Sequence, residues 1–295
     1  MIGRITSSTV TQQALRTLQA GLADRARLQD QATSQRALRA PSDDPTAAAA
    51  ILGVHGEQAR ASQFSRNISD ALTWVTTADT ALGASIDLLN RARDLTAQGA
   101  NSGALSPAAR DSIAAELDSV SREILSHANT TVLGRTVFAG TGDSGRAFDP
   151  ATFAFTGVAG SSVERRVSDN EKVRVDVDGA DAFGAGDASV FATLQGIAAD
   201  LRAGVDVGAR LADVDAHLKQ LVTARGVTGA QQAQIERAQA TNASVSVDLE
   251  TRRAAVENID TLEVYIKLQS AELVYQSALQ VTAKTLQTTL LEFVR

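Results

Sequence analysis

The sequence predicts a mainly α fold, an elongated bundle of long helices with paired N- and C-terminal coiled-coil helices and one small β insertion. Three observations predict it. The last 66 residues, Ala230 to Arg295, contain neither glycine nor proline. Apolar and small residues recur at three-four spacing on both sides of one glycine-rich stretch. Between Gly134 and about Ser189 that spacing gives way to short alternating runs separated by turns.

Residues 5–38 read as the first helix. Its seam is thin, because Ser8, Gln12 and Gln19 alternate with Ile5, Leu15 and Leu22. Such a helix is marginal by itself, since tertiary packing supplies most helical stability. It ends before Pro41, because the residue preceding a proline disfavours the helical region. In the turn Pro41-Ser42-Asp43-Asp44-Pro45, Asp44 is placed as an N-cap and Pro45 as the first helical residue.

A second long helix is expected from Pro45 to about Gln98. Its seam is Ile68, Leu72, Val75, Asp79, Leu82, Ile86 and Leu89, with the sole tryptophan, Trp74, beside it. Asp79 reads as a buried polar residue that fixes register. Gly99 and Gly103 interrupt the pattern, and Ser106-Pro107 restarts it ahead of Ile113, Leu117, Val120 and Ile124. Within the β insertion, Phe153/Phe155 and Val173/Val175/Val177 alternate as half-buried strands do. Helical spacing returns at Leu194, Ile197 and Leu201. It continues at Leu211, Val214, Leu218 and Leu221 and ends at Arg225-Gly226.

The final segment carries a seam through Ile235, Ala238, Val245, Leu249, Val256, Ile259, Ile266 and Leu273. Unbroken, it would run roughly 100 Å. Thr241–Val247 is the expected weak point, having β-branched residues and an asparagine. Beyond Leu273 a second seam, Leu279, Leu286 and Phe293, lies about 120° around the helix. Two stripes call for two neighbours.

Composition narrows the function. Aromatics make up only 4% of the chain, so the core should be built from Ala, Leu, Val and Ile. The net charge of −6 argues against a surface that tracks nucleic-acid phosphates. With no cysteine, disulfides and thiolate ligands are excluded. The first residues lack an apolar run of signal-peptide length, and no segment approaches the roughly 20 apolar residues of a membrane span. The expectation is a cytoplasmic protein or one exported without a cleaved signal.

No catalytic constellation emerges. Gly140-Thr-Gly-Asp-Ser-Gly145 has the glycine spacing of a dinucleotide loop, but a strand-like segment follows where a helix would have to begin. Asp43-Asp44 is accounted for by capping. His55, His127 and His217 lie far apart, outside metal-ligand spacing, and read as surface or core residues. No cofactor and no metal is expected.

Several stretches together resemble the bacterial flagellin family, and the branch of it found at the hook–filament junction. They are Pro41-Ser42-Asp43-Asp44-Pro45; Asn67 through Leu82, with Thr77-Ala-Asp-Thr-Ala-Leu82; and Leu88-Leu-Asn-Arg-Ala-Arg-Asp-Leu-Thr-Ala-Gln-Gly-Ala-Asn101. Asn129 with Gly134-Arg135 and Val137-Phe138-Ala139-Gly140-Thr141 is similar to the approach to that family's variable insertion. Tyr275-Gln-Ser-Ala-Leu279 and Leu290-Leu-Glu-Phe293 fit the junction branch. Residues 148–205 carry no such motif.

The resemblance implies a flagellar component exported without a cleaved signal and acting as a structural adaptor. Its partners would be flagellin, another hook-associated protein, copies of itself in a ring and an export chaperone, with no nucleic acid and no membrane. A short flagellin forming the filament is the alternative. Residues 1–40 and 257–295 would pair as an inner assembly domain, 41–140 and 190–256 would form a helical rod, and 141–189 an outer β insertion. Subunit contacts would fall on Ile5, Leu15, Leu22, Ile259, Ile266, Leu273, Leu279, Leu286, Leu290 and Phe293. With a half-polar N-terminal seam and a second C-terminal stripe left uncovered, an isolated end would be marginal against the entropy of ordering its backbone. Folding of the ends is therefore expected to be coupled to assembly.

Overall fold

The computed structural model describes residues 7–38, 40–100 and 106–293, and all of their side chains except those of 7, 8, 10, 11 and 285–293. The fold is mainly α. Its helices are α1 (Ser7–Ser34), α2 (Pro45–Ala100), α3 (Pro107–Ala128), α4 (Gly179–Phe183), α5 (Val190–Ala203), α6 (Leu211–Glu257) and α7 (Thr261–Phe293). Two antiparallel hairpins accompany them, β1 (Thr131–Val132) with β2 (Arg135–Thr136) and β3 (Glu164–Arg166) with β4 (Lys172–Arg174). The chain divides into two compact units, Met1–Ala59 with Val247–Arg295, and Arg60–Ser246.

Local chemistry sets the helix starts. Asp44 Oδ1 accepts from the backbone N–H of Thr46 at 2.9 Å and of Ala47 at 3.0 Å, capping α2. Asp43 Oδ2 accepts from Ala40 N–H at 2.9 Å, so the neighbouring aspartate closes the turn ahead of the cap. Ser106 Oγ caps α3 through Ala109 N–H, with Pro107 next. Ser189 does the same for α5 through Ala192.

The core lies in the second unit. Ile68, Val75, Leu82 and Leu89 of α2 are buried together with Leu117 and Ile124 of α3, Leu194, Ile197 and Leu201 of α5, and Val214, Leu221 and Ile235 of α6. These are the seam positions the spacing predicts. Gly99 lets α2 and α5 come close, since a Cβ there would stand 2.7 Å from Leu201 Cδ2.

Asp79 differs from its reading. It is half-buried rather than buried, and its carboxylate takes the Arg225 guanidinium in a two-pronged bond of 2.9 and 3.2 Å. That pair pins α2 to α6, and the carboxylate raises the Arg225 pKa.

The aromatic reading also needs correction. Few as they are, the phenylalanines are concentrated. Phe148 lies 5.2 Å from Phe191, 5.4 Å from Phe155 and 5.9 Å from Phe183, while Phe138 meets Phe183 edge-on at 5.2 Å. This cluster joins the segment 147–183 to the helical core as one contiguous apolar body. Asn129, at the C-terminus of α3, binds the same segment: its Oδ1 accepts from Ala147 and Phe148 N–H, and its Nδ2 donates to Phe148 O.

Within that segment Val173, Val175 and Val177 are buried as expected of alternating strand positions. Phe153 is not in a strand. Asp149 Oδ1 caps a single turn through Ala151 and Thr152, and Phe153 leaves it at φ +53. The β3–β4 hairpin is fastened to α2, where Arg165 pairs with Asp70 at 2.6 Å and lies 5.8 Å from the Trp74 ring centre. The glycines from 140 to 145 form turns with no helix starting among them, in keeping with a turn rather than a nucleotide loop.

Two helix boundaries depart from the sequence reading. α6 runs through Gly226, Gly229 and Thr241–Val247 without interruption. Burial of Leu221, Thr228 and Ile235 along it outweighs a cost of about 1 kcal/mol per helical glycine. The break comes instead at 258–260. There Asp260 Oδ1 accepts from Leu262 and Glu263 N–H at 2.9 and 3.1 Å, capping α7. The first helix stops at Ser34 rather than 38, because Gln35 takes a left-handed conformation at φ +56.

Candidate assembly interface

The first unit holds the chain's two terminal helices. α1 packs along α7, and two contacts fix their register. Arg36 forms an antiparallel bridge with Asn258, and Gly21 lies against the Tyr275 ring, its Cβ position 3.5 Å from Cδ2. Stepping 15 residues back along α1 corresponds to 17 residues forward along the chain into α7. The helices are therefore antiparallel in near-constant register.

The residues that turn inward repeat at four-three spacing on both helices. On α7 they are Val264, Leu268, Ala271, Tyr275, Ala278 and Thr282; on α1 they are Ala14, Leu18, Gly21, Arg25, Leu28 and Ala32. Only Leu28, at 5% exposure, and Val264, at 8%, are fully covered. Small residues on both sides leave little apolar area to bury. The pair is correspondingly thin.

What the seam leaves outside is large. At about 100° per residue, Leu262, Ile266 and Leu273 fall on the side of α7 opposite the seam, exposed by 70, 60 and 66%. Tyr265, Val274 and Val281 flank that stripe, Leu279 lies nearer the seam, and all four are exposed as well. On α1, Leu15 and Leu22 stand open beside the seam. Covering such side chains is worth roughly 1.5–3 kcal/mol each when complete, and a contiguous apolar face of this kind marks an interaction site.

The junction of α6 and α7 is held by charge. Glu257 is 9% exposed; Arg253 binds it at 2.5 Å and Arg36 stands 3.4 Å away. Arg253 also grips Glu250 at 2.6 Å, lowering the Glu250 pKa, while both carboxylates raise its own. Ala37 N–H donates to Glu257 O at 2.8 Å, and Gln31 Nε2 donates to Ala37 O. The end of α1 is thereby tied to the α6–α7 turn.

Of the positions expected to carry subunit contacts, Leu15, Leu22, Ile266, Leu273 and Leu279 are exposed and Ile259 is half-buried at the junction. Ile5 lies outside the described residues, as do the side chains of Leu286, Leu290 and Phe293. Sequence reasoning missed Leu262, Tyr265, Val274 and Val281. The available signal was Asp260 followed by Glu263, which marks a helix start and resets the phase. Pro41 to Pro45 form the exposed turn into α2.

Among the described residues no group of three or more His, Asp or Glu is gathered as metal ligands, and no helix is long and apolar enough to cross a membrane. His217 is a core residue. Its Nε2 stands 3.0 Å from Thr193 Oγ1, its Nδ1 faces the Gln220 amide at 3.1 Å, and burial lowers its pKa.

Residues 5–143 match the bacterial flagellin N-terminal helical region. No curated protein gives a significant match. Among solved structures, the chain is similar to one described as a flagellar hook-associated protein from Vibrio parahaemolyticus, at 20% identity over 73% of this chain and 100% of that one, TM-score 0.68. It is similar to Bacillus cereus FlgL at 19% identity over 68% and 99% of the two chains, TM-score 0.59. It is also similar to the flagellar junction protein FlgL from Legionella pneumophila at 15% identity over 60% and 95%, TM-score 0.50.

Proposed function

We propose that this chain, whose residues 5–143 carry the flagellin N-terminal helical region, is a structural adaptor of the bacterial flagellum at the hook–filament junction. The observation that carries the reading is the outward stripe Leu262, Ile266 and Leu273 on a terminal helix already paired with α1. A helix pair with that much uncovered apolar surface is built to be enclosed by neighbouring subunits. Solved structures to which the fold is similar include one described as a flagellar hook-associated protein and one described as a flagellar junction protein. This supports an adaptor over a filament subunit.

The neighbours are a hook-associated protein on one side, flagellin on the other, and copies of this chain in a ring. An export chaperone covers the terminal helices beforehand, and export proceeds without a cleaved signal. The role is mechanical rather than catalytic.

The match to flagellin itself favours a second reading, a short flagellin that forms the filament. Purified chain added to sheared hooks and filament fragments separates the two. The adaptor binds ends once and stops. Long filaments grown from this chain alone would establish the second reading instead.

A further inference from the structure

The outward stripe of α7 extends beyond its large aliphatic residues. Leu262, Ile266, Gln269, Leu273, Gln276 and Gln280 follow one another at four-three spacing, and all are exposed. At about 100° per residue they lie on the side of α7 opposite the α1 seam. Four-three spacing is that of the a and d positions of a coiled coil, so α7 carries a second seam. None of its positions is charged, although Glu263 and Lys267 pair beside it at 2.7 Å. The outer face of α1, by contrast, bears Arg16, Asp24 and Arg27. A stripe that stays in water has no need to avoid charge, and one that becomes covered does.

The order of the seam residues selects what can cover them. Each glutamine amide is both donor and acceptor, and none of the three makes a side-chain hydrogen bond among the described residues. An apolar cover would leave these amides unpaired, at a cost. A second α7 laid antiparallel over the full seam sets Leu262 opposite Gln280, Ile266 opposite Gln276 and Gln269 opposite Leu273. Every layer then places an amide against an aliphatic chain, and Glu272 comes near its own counterpart. Laid parallel, aliphatic meets aliphatic and Gln meets Gln, donor to acceptor. The flanking positions then bring Tyr265 beside Ser270 and Glu272 beside Ser277, with no like charges opposed.

We propose that the outward stripe is covered by α7 of another copy, parallel and in register, with Gln269, Gln276 and Gln280 fixing that register. Copies related by an axis along the helices, as in a ring, bring each residue to its own counterpart. The inference rests on the reading that copies of this chain stand side by side, and it names the face and register of their contact.

The chain contains no cysteine, so single cysteines report the register. Gln269→Cys and Leu273→Cys variants of the full chain, one carrying a size tag, are oxidised mildly at high concentration, each alone and then mixed, and run without reductant. Each variant alone should give a disulfide-linked dimer, and in the mixture these like-with-like dimers should exceed the mixed 269–273 species at least tenfold. Gln276→Lys added to the Gln269→Cys chain should reduce its dimer at least tenfold. Mixing that chain with one carrying Gln276→Glu and Gln269→Cys should restore it. A dominant mixed species, no dimer from either variant alone, or no restoration by the opposite charges would overturn the proposal. Such a result alongside bare hooks in cells lacking the chain would remove this contact and leave the adaptor reading standing.

Discussion

Gly21 of α1 lies against the ring of Tyr275 of α7, so close that a methyl group at Gly21 would sit 3.5 Å from Tyr275 Cδ2. That is ordinary contact, with no backbone conformation that requires glycine. Gly21→Ala should therefore fit and gain about 0.5–1 kcal/mol from reduced unfolded-state freedom and better helix propensity. Gly21→Trp should force α1 and α7 apart. Helical circular dichroism and thermal melting of the full chain measure both. A destabilising alanine would mean that the register is wrong.

The turn before α2 predicts a smaller effect. Asp44 satisfies two N–H groups at the start of the helix, and losing such a cap costs about 0.5–2 kcal/mol. Asp44→Ala should lower stability within that range, and Asp44→Ser should recover most of it. Denaturant midpoints on the full chain check the pair. An unchanged midpoint for alanine would remove the capping role.

The segment 143–188 shares one apolar body with the helices of the second unit. Phe148 is fully buried and touches rings on both sides of the insertion boundary. Phe148→Ala should cost about 3–5 kcal/mol, and deleting 143–188 should uncover Phe191 and collapse the second unit. Retention of full helical signal in the deletion would show that the helices fold without this segment.

His217 gives a pH dependence of defined sign. Burial holds its pKa below the ordinary 6.5, so the folded state binds fewer protons than the unfolded chain below that pH. Its contribution to stability is complete above pH 6.5 and declines as pH falls from there toward the folded value. Melting temperature should drop over that interval, and His217→Gln should flatten the drop. A variant as pH-sensitive as the parent would place the titration elsewhere.

How far the sequence could be read depended on the distance over which its signals act. Caps are local, so those at Asp44 and Ser106 were legible from a few residues. Seams with dense apolar repeats, such as Ile68 to Leu89, were legible because periodicity accumulates over many turns. The terminal seam was not, because several of its inward positions are small: Ala271, Ala278 and Gly21 carry no hydrophobic signal, while the large Ile266 and Leu273 point away. Reading the larger residues as the seam picked out the outward stripe. The phenylalanine cluster was invisible for another reason. Phe138, Phe148, Phe183 and Phe191 are far apart in sequence and meet only through the turns between them.

Electron microscopy of cells lacking this chain tests the central claim most directly. Loss of the adaptor should leave hooks that end bare, with flagellin released into the medium and filaments restored when the chain is supplied again. Filaments of normal length attached to hooks in those cells would contradict it.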